Sequence, residues 1–257
     1  MFEQSKPYPS GPDGQRAYVV GDVHGRLDLL EELLSRIHED IQSRSADKVS
    51  IVFLGDLIDR GPDSAKVLDR LQNYRHPGVN TVFLLGNHEE VMLRVIGGEA
   101  QLIASWVRFG GDKTLESYGL DPHELLFMTD SAAVETVRRA VPERHVEFLR
   151  GFADTCRFGD YLFVHAGIRP GIELDQQQQS DLRWIREPFL LDDRDHGFVV
   201  VHGHTISRRI DEQPNRIGID TGAFATGVLT ALSIEGGERR FIDTREPAGA
   251  SAVPASH

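Results

Sequence analysis

The chain is 257 residues long, and 40 Asp and Glu against 28 Lys and Arg leave a formal charge of −12 with 11 His counted neutral. That length fits one large domain or two small ones, and with 40% hydrophobic residues but no run near the ~20 apolar residues of a membrane span, an integral helical membrane protein is excluded. The acidic balance disfavours duplex nucleic acid or anionic lipid as partners, since both are bound through Lys and Arg. The one cysteine, Cys156, permits no internal disulfide, and the polar start Met1–Gly14 has no apolar signal core. A cytoplasmic location is therefore expected.

Taken in order, residues 1–16 read as a flexible, turn-rich N-terminal arm, and residues 17–244 as one domain. Tyr18–Val20 predicts a strand that runs into Gly21-Asp22-Val23-His24-Gly25, and the stripe Leu27, Leu30, Leu34, Ile37 and Ile41 behind it predicts an amphipathic helix. Val49–Leu54 repeats the event, ending in Gly55-Asp56 before a helical pattern over Ser64–Tyr74; Thr81–Leu85 repeats it again, ending in Gly86-Asn87-His88-Glu89. Asp22, Asp56 and Asn87 thus recur at intervals of about 30 residues, the length of a strand–helix–strand unit. An α/β architecture follows, and the polar residues gather at the carboxyl edge of one sheet, where α/β ligands bind.

From about 89 to 157 the pattern is helical and reads as an insertion over that edge. Strands resume at Tyr161–Val164, Phe198–Val201, Arg216–Ile219, Val228–Ile234 and Arg239–Ile242, close enough together to predict a second, mixed or antiparallel layer. Residues 245–257 read as a flexible, Ala/Ser/Pro-rich tail.

The residues that directly follow strands are Asp22, His24, Asp56, Asn87, His88, His165, His202 and His204. Residues two apart on an extended segment project to one side, so Asp22 and His24 can reach one ion. Carboxylate, imidazole and amide donors together suit a transition-metal dication rather than Ca²⁺ or Mg²⁺. So many donors point to two ions, with a carboxylate such as Asp56 between them, a device for displacement at phosphorus. One such residue would be an ordinary turn or cap; five strand ends repeating it, each with glycine alongside, are not.

GDVHG at Gly21–Gly25, GDLIDRG at Gly55–Gly61, GNHE at Gly86–Glu89, HAG at His165–Gly167 and GHT at Gly203–Thr205 resemble the calcineurin-like metallophosphoesterases. Within them the blocks resemble the phosphoprotein phosphatase branch, near the bacterial and phage serine/threonine phosphatases and the symmetrical diadenosine tetraphosphatases. The resemblance runs over about residues 17–235 and implies a four-layer αββα sandwich. It also implies that Asp22, His24 and Asp56 hold a first metal, and that Asp56 bridges to a second held by Asn87, His165 and His204. His88 would protonate the leaving group, oriented by Asp59; Arg60, Asn87 and a second arginine would hold the substrate phosphate. Of the two candidates in DLRWIREPF, the pattern favours Arg186 over Arg183, and His202 is placed behind the ligands.

The expected activity is hydrolysis of phosphomonoesters, with phosphoserine and phosphothreonine in proteins as the substrate class, by direct attack of hydroxide held by the metals. The expected cofactors are two divalent ions, Mn²⁺ first, with Fe, Zn, Co and Ni compatible. The alternatives are hydrolysis of dinucleoside polyphosphates or of RNA 5′ ends at the same site, or a non-catalytic regulatory relative. A phosphoprotein or small phosphoester is the expected partner, with neither duplex nucleic acid nor membrane, and the oligomeric state is left open. Six His, among them His38, His76 and His257, read as solvated surface or tail groups, and Trp184 as packed core.

Overall fold

The computed structural model describes residues 9–245. The chain first lays down β1 (Gln15–Val20), α1 (Leu27–Ser43), β2 (Lys48–Phe53), α2 (Ser64–Gln72), β3 (Val79–Phe83) and α3 (Asn87–Gly97). β1 pairs with β2 and β2 with β3, both parallel, as successive strand–helix–strand units require. Alternation along these strands divides the core. Tyr18, Val20, Ile51 and Phe53 pack with the helix residues Leu30, Leu34 and Val67. Ala17, Val19, Val52 and Leu54 point the other way, onto Phe163, Val201 and Ile217 of a second sheet.

Five helices form most of the predicted insertion: α4 (Ile103–Trp106), α5 (Asp112–Ser117), α6 (Pro122–Leu126), α7 (Asp130–Ala140) and α8 (Glu143–Arg150). The helical stretch ends sooner than 157, because β4 (Thr155–Phe158) pairs antiparallel with β5 (Tyr161–Val164). There follow α9 (Gln179–Trp184), β6 (Val199–His202), β7 (Asp211–Glu212), β8 (Arg216–Gly218), α10 (Ala223–Thr226), β9 (Thr230–Glu235) and β10 (Glu238–Asp243). The second sheet has the order β4-β5-β6-β8-β7, with β5, β6 and β8 parallel. Its outer face packs Leu162, Val164 and Val200 against Leu182, Ile185 and Phe189. The layers therefore run helices, sheet, sheet, helices, and no helix of the described residues is long and apolar enough to cross a membrane.

Three expectations change. The β9–β10 hairpin joins the first sheet, not the second, through antiparallel pairing of β9 with β1, giving the order β10-β9-β1-β2-β3. That register turns Leu232 and Ile234 into the core between the sheets. The N-terminal arm does not extend to residue 16: β1 begins at Gln15, and ahead of it Gly11 N–H donates to Gly236 O at 2.8 Å while Tyr161 Oη donates to Pro9 O at 3.1 Å. Residues 1–8 and 246–257, most of the predicted tail, lie outside the described residues. His145, expected at the surface, is buried, with Tyr118 Oη 2.8 Å from its Nδ1 and Asp69 2.9 Å from its Nε2.

Candidate metal centre and phosphate site

The strands of both sheets end at one place. Asp22 and His24 follow β1, Asp56 follows β2, Asn87 and His88 open α3 beyond β3, His165 follows β5, and His204 follows β6. Among the described residues, the non-glycine residues with positive φ are His24 (46°), Asp56 (48°), Asp59 (70°), Arg60 (67°) and His204 (61°), every one a predicted site residue. Such backbones cost of order 1–3 kcal/mol each and persist only where the surroundings enforce them. One enforcing contact is at Gly203, where any Cβ would fall 2.0 Å from Asp22 Oδ1.

The donor atoms converge on Asp56. Its Oδ2 lies 3.6 Å from His24 Nε2 and 3.9 Å from His88 Nε2, and its Oδ1 lies 3.4 Å from His165 Nε2. His24, Asp56 and His88 form one group spaced to share an ion; Asp56, His165 and His204 form another. The hydrogen bonds at the far sides of the rings fix the tautomers. His24 Nδ1 donates to Ile58 O at 2.8 Å and His165 Nδ1 to Leu54 O at 2.9 Å, so both Nε2 lone pairs face inward. His165 Nε2 then meets Asn87 Oδ1 at 3.0 Å, and His204 Nδ1 meets the same oxygen at 2.9 Å. Asp22 Oδ1 and His204 Nε2 are buried without a hydrogen-bond partner among the described residues. Asp22 enters neither group; its Oδ2 accepts from His204 N–H at 3.0 Å, on the same floor.

The charges tell the same story. Burial holds His24 well below the ordinary imidazole value, His165 below it and His204 down at about 3, the neutral form that binds metals. Asp22 is pushed far up by burial and by the charges of Asp220 and Asp56, and burial lifts Asp220 to about 6. Asp56 stays ionised because the histidines around it outweigh its burial. Inward lone pairs, unpartnered oxygens and crowded carboxylates are the donor chemistry of a dication, and the residues fit the implied pair of ions.

A second group lies beside the first. His88 Nδ1 lies 2.6 Å from Asp59 Oδ2, and Asp59 also accepts from Trp106 Nε1 at 3.0 Å and Thr114 Oγ1 at 2.6 Å. Burial pulls His88 down, but Asp56 and the Asp59 hydrogen bond outweigh it and hold the ring up at about 9. Arg60 Nη1 and Nη2 reach His24 Nε2 at 3.0 Å and His88 Nε2 at 3.2 Å, and the Phe224 ring backs the guanidinium at 4.8 Å. The backbone of Arg60 is tied by its N–H to Gly110 O at 2.8 Å. The stretch Trp106–Gly111 therefore sets both Asp59 and Arg60. A Cβ on Gly111 would meet Trp106 Cδ1 and Nε1 at 2.4 Å. Gly111→Ala is accordingly expected to push the indole off Asp59, costing ~1–3 kcal/mol in chemical denaturation and lowering kcat more than it raises KM.

Other predicted residues separate. Arg183 is held by Asp154 at 2.6 Å and Glu90 at 3.3 Å, whereas Arg186 has no ion pair among the described residues and its charge is felt by His204. His202 joins neither donor group; its ring packs on Phe189 and beneath Gly218. Trp184, read as core, is 42% exposed. Sequence reasoning missed Glu89, Thr114 and Phe224. Glu89 is fully buried and accepts from the N–H groups of Asp56 (2.9 Å), Leu57 (2.7 Å), Ile58 (3.3 Å) and Gly86 (3.0 Å), pinning the loop that carries Asp56. Its place in the GNHE block was the available signal.

A sequence model described as calcineurin-like phosphoesterase matches residues 16–222. The chain is 28% identical to serine/threonine-protein phosphatase 1 of Salmonella typhimurium over 86% of its own length and 93% of that protein. It is 33% identical to the asymmetrical bis(5′-nucleosyl)-tetraphosphatase PrpE of Oceanobacillus iheyensis over 40% of its length, a match that spans 37% of that relative. A solved cold-active protein tyrosine phosphatase shares the fold with a TM-score of 0.58 at 19% identity, covering 90% of this chain and 80% of that one.

Proposed function

Since the chain belongs to the calcineurin-like phosphoesterase family, we propose that it hydrolyses phosphate monoesters, with phosphoserine and phosphothreonine in proteins as the substrate class and two Mn²⁺ ions as cofactor. The observation that carries the reading is the convergence of two donor groups on one carboxylate, Asp56, beside a His–Asp pair and the guanidinium of Arg60. The match to a serine/threonine-protein phosphatase supports the protein substrate. Dinucleoside polyphosphate is the second reading, favoured by the relative from Oceanobacillus iheyensis.

Asp22, His24 and Asp56 would hold one ion, and Asp56, Asn87, His165 and His204 the other. When bound, such ions acidify a water and offset charge on phosphate oxygens. The chain does the rest. Arg60 and Arg186 grip the non-bridging oxygens, where a planar guanidinium gives bidentate contact. Asp59 retains the proton on His88 Nδ1, leaving Nε2 to deliver its proton to the departing oxygen. Trp106 and Thr114 fix Asp59, so that the imidazole does not turn away.

The test is a side-by-side assay of manganese-loaded protein on p-nitrophenyl phosphate, phosphoserine and phosphothreonine peptides, and diadenosine tetraphosphate. Higher kcat/KM on the peptides is expected; preference for the dinucleotide by orders of magnitude would overturn the protein-phosphatase reading. Chelation is expected to abolish turnover on every substrate and to lower Tm.

A further inference from the structure

Beyond His204 the chain turns away from the metal centre through Ser207, whose N–H donates to Asp220 O at 2.9 Å, and presents Arg208 and Arg209 to a cavity of about 250 Å³. Thr221, Thr226 and Arg245 line the same cavity. Three arginines lining one small cavity stand out in a chain of charge −12. Arg245 is paired with Asp243, but neither Arg208 nor Arg209 has a carboxylate partner among the described residues. The threonines are already satisfied. Thr221 Oγ1 bonds Val228 O at 2.7 Å and Thr230 Oγ1 at 2.8 Å, and Thr226 Oγ1 donates to Thr221 O at 2.8 Å. The unspent donors among the lining residues are thus the guanidinium groups of Arg208 and Arg209, planar forks suited to phosphate oxygens.

The cavity is also linked to the site already described. One short helix joins them: α10 carries Phe224, which lies 4.8 Å from the Arg60 guanidinium, and Thr226, which lines the cavity. Four helical residues span about 6 Å. We propose that the Arg208–Arg209–Arg245 cavity is a second phosphate subsite, binding a phosphate group other than the one hydrolysed. The proposal rests on the phosphoester reading but not on which ester is cleaved. The bound group is either a further phosphate of a polyphosphorylated substrate or free inorganic phosphate.

The experiment uses the full chain and the double variant Arg208→Ala/Arg209→Ala, whose changes are at exposed side chains. Calorimetric titration of inorganic phosphate into chelator-treated protein reads the subsite apart from the metal centre. Wild type is expected to bind and the double variant to bind at least ~10-fold more weakly. Steady-state kinetics of the manganese-loaded proteins on tripolyphosphate and p-nitrophenyl phosphate then separate the sources. A tenfold or larger rise in KM for tripolyphosphate, with p-nitrophenyl phosphate unchanged, assigns the subsite to the substrate's own chain of phosphates. Lost phosphate binding with unchanged KM on both substrates assigns it to free phosphate. Equal phosphate affinity in wild type and double variant overturns the proposal. Absence of turnover on every ester by loaded wild type would instead overturn the phosphoester reading, with the calorimetric result standing by itself.

Discussion

Asp56→Asn is expected to remove metal-dependent activity, lowering kcat/KM on p-nitrophenyl phosphate by on the order of 10³ or more, because several kcal/mol of charge stabilisation are lost with the ions. Asp56 is the shared member of both donor groups, so one change touches both ions. The folded protein without metal should respond differently. The Asp56 charge helps to push up Asp22 and Glu89, the latter to about 7, so the amide relieves repulsion among buried carboxylates. The histidines that hold Asp56 ionised lose that charge as well, so melting in chelator is expected to be unchanged or lowered, while the rise in Tm on adding Mn²⁺ disappears. In wild type that rise reflects binding to the native state, about 2.7 kcal/mol at a hundred times Kd. A variant that keeps both the Mn²⁺-induced rise and full metal content would show that Asp56 is not shared between ions.

His88→Asn separates two roles the geometry brings close together. His88 Nε2 is 3.9 Å from Asp56 Oδ2, within the group that could hold an ion, yet its Nδ1 is committed to Asp59. As a proton donor, its loss is expected to lower kcat by ~10²–10⁴ with metal content per protein unchanged. The loss should be larger on phosphoserine peptides, whose alkoxide must be protonated, than on p-nitrophenyl phosphate, whose leaving group is stable as an anion. Loss of an ion in parallel with kcat, equal on both substrates, would make His88 a ligand instead.

The parallel strands and their helices were readable because period-two apolar runs and three- to four-residue stripes alternate at regular length, and because each strand stops at glycine followed by a polar residue. β4 escaped notice because its TCRF carries no apolar run, and β7 because two residues carry too little pattern. The destination of the β9–β10 hairpin was not readable, since pairing with β1 depends on which edge the folded sheet leaves open. The same limit governed the site. Asp59 and Arg60 could be read from the block they sit in, but the hydroxyl that bonds Asp59 belongs to Thr114, 55 residues on, and the carboxylate that pins the Asp56 loop to Glu89, 33 residues on. The close approaches of Gly110 to Arg60 and of Gly111 to Trp106 became visible only through space.

The left-handed backbones at His24, Asp56, Asp59, Arg60 and His204 carry a consequence for engineering. Glycine adopts such angles without steric cost, so at each of these positions it would ease the local backbone while erasing a ligand, an orienting carboxylate or a phosphate grip. A library of this protein selected for heat tolerance alone would not register that loss of chemistry. Selection for thermal endurance here has to be coupled to turnover at every round.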